Sequence, residues 1–166
     1  MLTRRTLVTG AGVLPFAGAS AVAQASVPPG AAPGGGRGKD RAFLGDEGFR
    51  NVEKGFQLKV RLTSYRSLPL SCIRGIRLKV DGEEIDPKAM VLTLNYSSYK
   101  LEDLPRLSTV WWFILDYAGL FVPRAAPLAP GEHDVEGTLI TVEPYMTAGR
   151  FAFYSTSRKR LLLESD

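Results

Sequence analysis

The chain has 166 residues with 21 Lys and Arg against 17 Asp and Glu, one histidine and one cysteine. A lone Cys72 excludes an intrachain disulfide, and with His133 as the single histidine neither a zinc cluster nor a two-histidine metal site can form within one chain. The length suits one domain of ordinary size, and the formal charge of +4 drops to 19 basic against 17 acidic residues once Arg4 and Arg5 are set aside, too slight an excess to mark a nucleic-acid binder.

Those two arginines belong to the segment Thr3-Arg4-Arg5-Thr6-Leu7-Val8, a twin-arginine box close to the N-terminus. An uncharged run rich in Gly and Ala follows over 7–23, and Ala23-Gln24-Ala25 then offers a small-x-small cleavage site with Ser26 as the first mature residue. Basic, apolar, small is the order of a signal peptide, and the arginine pair directs it to the exporter of folded proteins. Pro15 and the Gly/Ala content argue against a retained membrane span, which needs about 20 strongly apolar residues. The reading is a cleaved leader over 1–25, a periplasmic destination and no membrane attachment afterwards. Residues 26–40 are Pro- and Gly-rich with almost nothing to bury, which predicts a flexible spacer. The Gly34-Gly35-Gly36 run lacks both a preceding strand and a following Gly-Lys-Ser/Thr, so it fails as a phosphate loop.

From Phe56 the period is two. Phe56, Leu58, Val60 and Leu62 share one face, with Gln57, Lys59, Arg61 and Thr63 on the other. Ile76, Leu78 and Val80 repeat the pattern and run into Asp81-Gly82, a pair that favours a tight hairpin turn. Met90, Leu92, Leu94 and Tyr96 predict another strand, and a short helical hint lies around 99–104. The stretch 110–115 (VWWFIL) is continuously apolar, as expected of a central strand covered on both faces. Residues 119–122 continue or return from it before Pro123; 127–132 read as a turn, and 135–142 as a last long strand. Phe151 and Phe153 suit a sheet edge, while 158–163 read as a helical or disordered end. The expected fold is all-β, an antiparallel jelly-roll-like β-sandwich over 41–148 with a C-terminal extension over 149–166.

The inventory for catalysis is thin, and no residue of this chain is assigned a catalytic, cofactor-binding or metal-binding role. His133 stands in a loop before a strand, either facing a partner or ligand or, in the plainer reading, hydrogen-bonded in place. Asp116 follows the tryptophan stretch, where a strand-end carboxylate reaches a cleft but lacks a second acid for hydrolysis. Tyr65 and Arg66 sit where alternation stops before Pro69; they are either a partner surface, since aromatic and arginine side chains concentrate there, or a packed crossover corner. Trp111 and Trp112 point to opposite faces of a strand, so at most one lines an outer surface; Trp112 is the one taken as a contact candidate.

The segments Val60-Arg61, Tyr65-Arg66 with Leu68, Pro69, Leu70 and Ser71, Val80-Asp81-Gly82, the tryptophan stretch with Asp116, and the group Leu128, Pro130, Gly131, His133 and Val135 together resemble the small β subunit of bacterial C-glycoside deglycosidases. The resemblance covers 56–145 and implies a β-sandwich that does not carry the reaction by itself. It implies a separate α subunit, a TIM barrel similar to xylose isomerase, that holds a divalent metal and cleaves 3-oxo-glycosides by an elimination-type step. The export leader, the spacer and the longer C-terminus depart from the cytoplasmic complexes expected of that family. Three readings stay open: an accessory subunit of an exported sugar-active lyase, a stand-alone periplasmic carbohydrate-binding sandwich, and an independent enzyme in which several of Tyr65, Arg66, Asp116 and His133 converge in one pocket. The first predicts an apolar patch larger than a monomer normally exposes.

Overall fold

In the computed structural model, which describes residues 42–145 and 151–164, the period-two segments become strands of antiparallel sheets. The leader over 1–25 and the spacer over 26–40 lie outside the described residues. In chain order the strands are β1 (Arg50–Val52), β2 (Gly55–Arg61), β3 (Leu68–Pro69), β4 (Ile73–Val80), β5 (Glu83–Glu84), β6 (Val91–Leu94), β7 (Ser97–Lys100), β8 (Trp111–Trp112), β9 (Tyr117–Pro123), β10 (Glu132–Val142) and β11 (Ala152–Leu162). One sheet has the order β1-β2-β9-β6-β7, the other β11-β10-β4-β5, and β3 with β8 forms a separate two-stranded ribbon. The fold is an all-β sandwich.

The core follows from the alternation. Phe56, Leu58 and Val60 of β2, Leu92 and Leu94 of β6, and Leu120 and Val122 of β9 meet Ile76, Leu78 and Val80 of β4 and Val135 and Leu139 of β10 in one buried cluster. Each such side chain contributes about 1.5–3 kcal/mol by leaving water. A register shift between Ile140 and Thr141 opposite β4 changes the parity there, so that Ile73 and Ile76, three residues apart, both face inward. On β10 the inward position between Val135 and Leu139 is Gly137, where an added Cβ would come within 2.8 Å of Phe43 and Leu44. That gap admits the buried Phe43-Leu44 segment, which runs beside β2 through the bonds Arg61 N–H to Phe43 O and Gly45 N–H to Lys59 O, both 2.9 Å.

Asp81-Gly82 turns as expected: Val80 pairs with Glu83, and both intervening residues have positive φ, 51° and 83°. Three expectations are corrected. The run 110–115 is not a central strand, because only Trp111 and Trp112 pair, with Pro69 and Leu68, and one side of the run stays open. Tyr96 does not extend its strand inward; Leu94 pairs with Ser97, and Asn95 and Tyr96 form the tight turn with φ of 51° and 63°, which leads into β7 and then a 3-10 segment, Leu101–Arg106, where a helical hint stood. The end over 158–163 is not helical: Phe153 does stand on a sheet edge, as expected, and the edge strand β11 continues from it, pairing with β10 through eleven residues, from Ala152–Val142 to Leu162–Glu132.

Candidate functional site

The register of the strands sorts the candidate residues to opposite ends of the sandwich. The last residue of β2, Arg61, pairs with the first of β9, Tyr117, and β10 ends at Val142, just before Tyr145. That end therefore gathers Arg61, Tyr65, Arg66, the 111–117 segment and Tyr145. His133 lies at the start of β10, about 30 Å away at 3.3 Å per residue.

His133 is buried and held at both ring nitrogens, Nδ1 at 2.6 Å from Asp81 Oδ2 and Nε2 at 2.8 Å from the Ala129 carbonyl, with its ring edge-on to Phe49. Both neighbours are acceptors, so only the doubly protonated ring satisfies both. Burial alone would depress its pKa, but the Asp81 hydrogen bond, the Ala129 carbonyl and the Asp81 charge outweigh that and raise it. Asp81 is correspondingly lowered, first by the His133 hydrogen bond. Asp81 also ties its turn to β10, its Oδ1 accepting the Asp134 N–H at 3.0 Å. The histidine thus clamps a turn and offers no free nitrogen to a ligand.

At the other end, Trp112 is 0% exposed and its Nε1–H donates to the Asp116 carbonyl at 3.1 Å. The outward ring is Trp111, 47% exposed, which corrects the choice between the two tryptophans: pairing of Leu68 with Trp112 turns that ring into the core and sends its neighbour out. Beyond Trp111, Phe113 (52%), Leu115 (82%) and Tyr117 are also exposed, so exposed apolar side chains follow one another along this row of the chain. Asp116 serves this row through its backbone, closing a turn by donating its N–H to Phe113 O at 3.0 Å. Ser67 Oγ accepts the Ile114 N–H at 3.2 Å and anchors the same turn to the neighbouring segment.

Tyr65 and Arg66 are exposed beside this row. The rings of Tyr65 and Tyr145 meet edge to face at 5.6 Å, and the Arg66 guanidinium lies 5.4 Å from one and 5.3 Å from the other. Buried Ser64 is within 3.2 Å of the Tyr145 hydroxyl and accepts the Arg66 N–H at 3.3 Å. The Tyr145 phenol is pushed above its ordinary range by burial first, with the negative charge of Glu143 adding and the Ser64 hydrogen bond opposing. Glu143, itself buried, and Tyr145 were not visible as site residues in the sequence, where they follow a strand with no motif. Tyr65, Arg66 and Asp116 therefore share one end of the molecule, and His133 does not join them in a common cleft. Among the described residues no group of three or more His, Cys, Asp or Glu could hold a metal ion, and no helix is long and apolar enough to cross a membrane.

A groove of about 500 Å³ lies elsewhere, on the outer face of β4, β10 and β11 among Lys79, Glu136, Arg158 and Arg160. Two of its arginines are paired across the strands, Arg158 with Glu136 at 2.7 Å and Arg160 with Asp134 at 3.1 Å, the arrangement of a solvated sheet face. The class these features define is a β-sandwich with one end built of exposed apolar and arginine side chains, the composition of a protein–protein contact. Sequence comparison gives that class its place. A profile of the C-glycoside deglycosidase beta subunit family matches residues 39–145. The 3'-dehydrocarminate deglycosidase beta subunit of Microbacterium sp. is 33% identical over 111 residues, 66% of this chain and 83% of the relative. The C-glycoside deglycosidase beta subunit of Eubacterium cellulosolvens is 33% identical over 113 residues, 64% and 77% of the two chains, and one from Arthrobacter globiformis is 35% identical over 89 residues, 54% and 68%. The chain belongs to the C-glycoside deglycosidase beta subunit family, and a beta subunit has an alpha subunit as its partner.

Proposed function

We propose that this protein is the exported accessory subunit of a sugar-active lyase, packing on a metal-dependent barrel α subunit that cleaves 3-oxo-glycosides. The observation that carries this reading is the open side of the tryptophan stretch. A continuously apolar run belongs between two covered faces, yet Trp111, Phe113 and Leu115 stand uncovered in the single chain. Family membership supplies the kind of body that covers them. The divalent metal belongs to the α subunit in this reading; in this chain the one histidine has both nitrogens occupied. The twin-arginine leader suits export of a complex already folded with its metal-loaded partner.

The alternative of a stand-alone carbohydrate-binding module draws on exposed Trp111 as a stacking ring. The side chains that follow Trp111 along the chain are the apolar Phe113 and Leu115, which favours a protein partner over a sugar directly beside that ring. The test is to purify the mature chain alone and together with the α subunit of its complex, and to assay cleavage of a 3-oxo-C-glycoside. The pair turns over and the single chain is inert. Turnover by the single chain at a rate comparable to the pair would overturn the proposal. Periplasmic fractionation checks the export element: mature protein beginning at Ser26 is expected there with the α subunit, and mature protein found alone would remove co-export.

A further inference from the structure

We infer that Arg61 and Arg66 are the charged anchors of the docking end, and that the α-subunit surface they meet is apolar at its centre with a carboxylate for each of them. This rests on the accessory-subunit reading above and adds to it the residues and the chemistry of the opposing surface.

Both arginines are fixed against aromatic rings before any partner arrives. Arg66 lies over Tyr65 and Tyr145, and Arg61 lies 5.7 Å from the Tyr117 ring while donating to its hydroxyl at 3.4 Å. Stacking occupies the face of a guanidinium and leaves its edge free to donate to a carboxylate. Among the described residues neither has a carboxylate within ion-pair distance; Arg50, Arg74, Arg77 and Arg106 also lack one, and what sets Arg61 and Arg66 apart is that each lies against an aromatic ring at the end that exposes Trp111, Phe113 and Leu115. Beside them the 113–116 turn is held by three hydrogen bonds, to Ser67 Oγ, Phe113 O and Asp116 O, so Leu115 is presented on a rigid tip. Pre-ordered aromatic, apolar and arginine groups lose little entropy on docking.

The uncompensated charge selects the occupant. Covering a guanidinium without an acid leaves an unpaired buried charge, which is strongly unfavourable. A glycoside without an acid group brings no counter-charge, and a second copy docked face to face would bring the same two arginines. The α subunit is the partner free to supply acids there.

The test measures binding of the full chain to the α subunit of its own complex. Arg61→Glu and Arg66→Glu are each expected to weaken binding about 30-fold or more, and Leu115→Ser about 10-fold. Arg66→Lys falls between, because it keeps charge without the planar fork. Wild-type affinity drops as NaCl rises from about 50 to about 500 mM, and the double charge reversal loses that dependence. All three side chains replaced are solvent-facing or partly so, and an unchanged thermal midpoint confirms folding. Wild-type affinity in both reversals, with the fold intact, overturns this inference alone. Absence of any complex with the wild type overturns the functional reading and this one with it. Self-association lost in Leu115→Ser, or glycoside affinity lost in Arg66→Glu, assigns the surface to another occupant and also overturns it.

Discussion

Replacing His133 with Gln removes the one side chain that must be charged to satisfy its surroundings. Hydrogen bonds to charged groups contribute about 1.5–3 kcal/mol each; Asp81 is half exposed, so the ion-pair part is reduced to about 1 kcal/mol. The raised histidine stabilises fully below its ordinary value of 6.5, and that stability is lost as pH rises through the folded value. The lowered Asp81 stabilises above its ordinary 3.8 and loses this as pH falls through its folded value. The clamp is therefore strongest between about pH 4 and 6.5. Thermal melting of the wild type and His133→Gln across pH 5–9 should show a gap of roughly 2 kcal/mol, on the order of 8 °C, at the acid end, narrowing by about half at the alkaline end. Parallel curves would refute the charged clamp. Binding to the α subunit should be unaffected, because the clamp sits at the far end of β10.

Gly55→Ala should cost more than about 3 kcal/mol or prevent folding, since its Cβ would overlap the Val122 carbonyl oxygen across the β2–β9 pair; a denaturant melt measures it. Ending the chain after residue 148 should strongly reduce the folded circular dichroism signal, because β10 keeps β4 but loses β11 along its full length and becomes an unpaired edge. Tyr96→Gly should raise the thermal midpoint by about 1 kcal/mol equivalent, as a fully exposed tyrosine is held at φ 63°.

The inner face of the sandwich was legible wherever apolar residues alternate without interruption, as in Phe56, Leu58 and Val60 or Ile76, Leu78 and Val80. β11 was hidden because its positions alternate differently: Ser157 and Lys159 answer to the Phe43–Asp46 segment, accepting the Leu44 N–H at 3.1 Å and pairing with Asp46, so no apolar period betrays a strand. The tryptophan stretch was misread for an informative reason. Its continuous apolarity is the pattern of a segment covered on both sides, yet Trp111, Phe113 and Leu115 are exposed in the single chain, and in the proposed complex the α subunit covers them. Arg66 and Tyr65 stood out in sequence as a pair, but Tyr145 joins them only because β10 returns to the end where β2 leaves the sheet.

The docking end is tested most directly by hydrogen–deuterium exchange of the full chain with and without its α subunit. The account predicts slowed exchange at 64–67, 111–117 and 143–145, with the charged outer face around Arg158 and Arg160 unchanged. Protection confined to that charged face, with 111–117 exchanging as freely in the complex as alone, would contradict it.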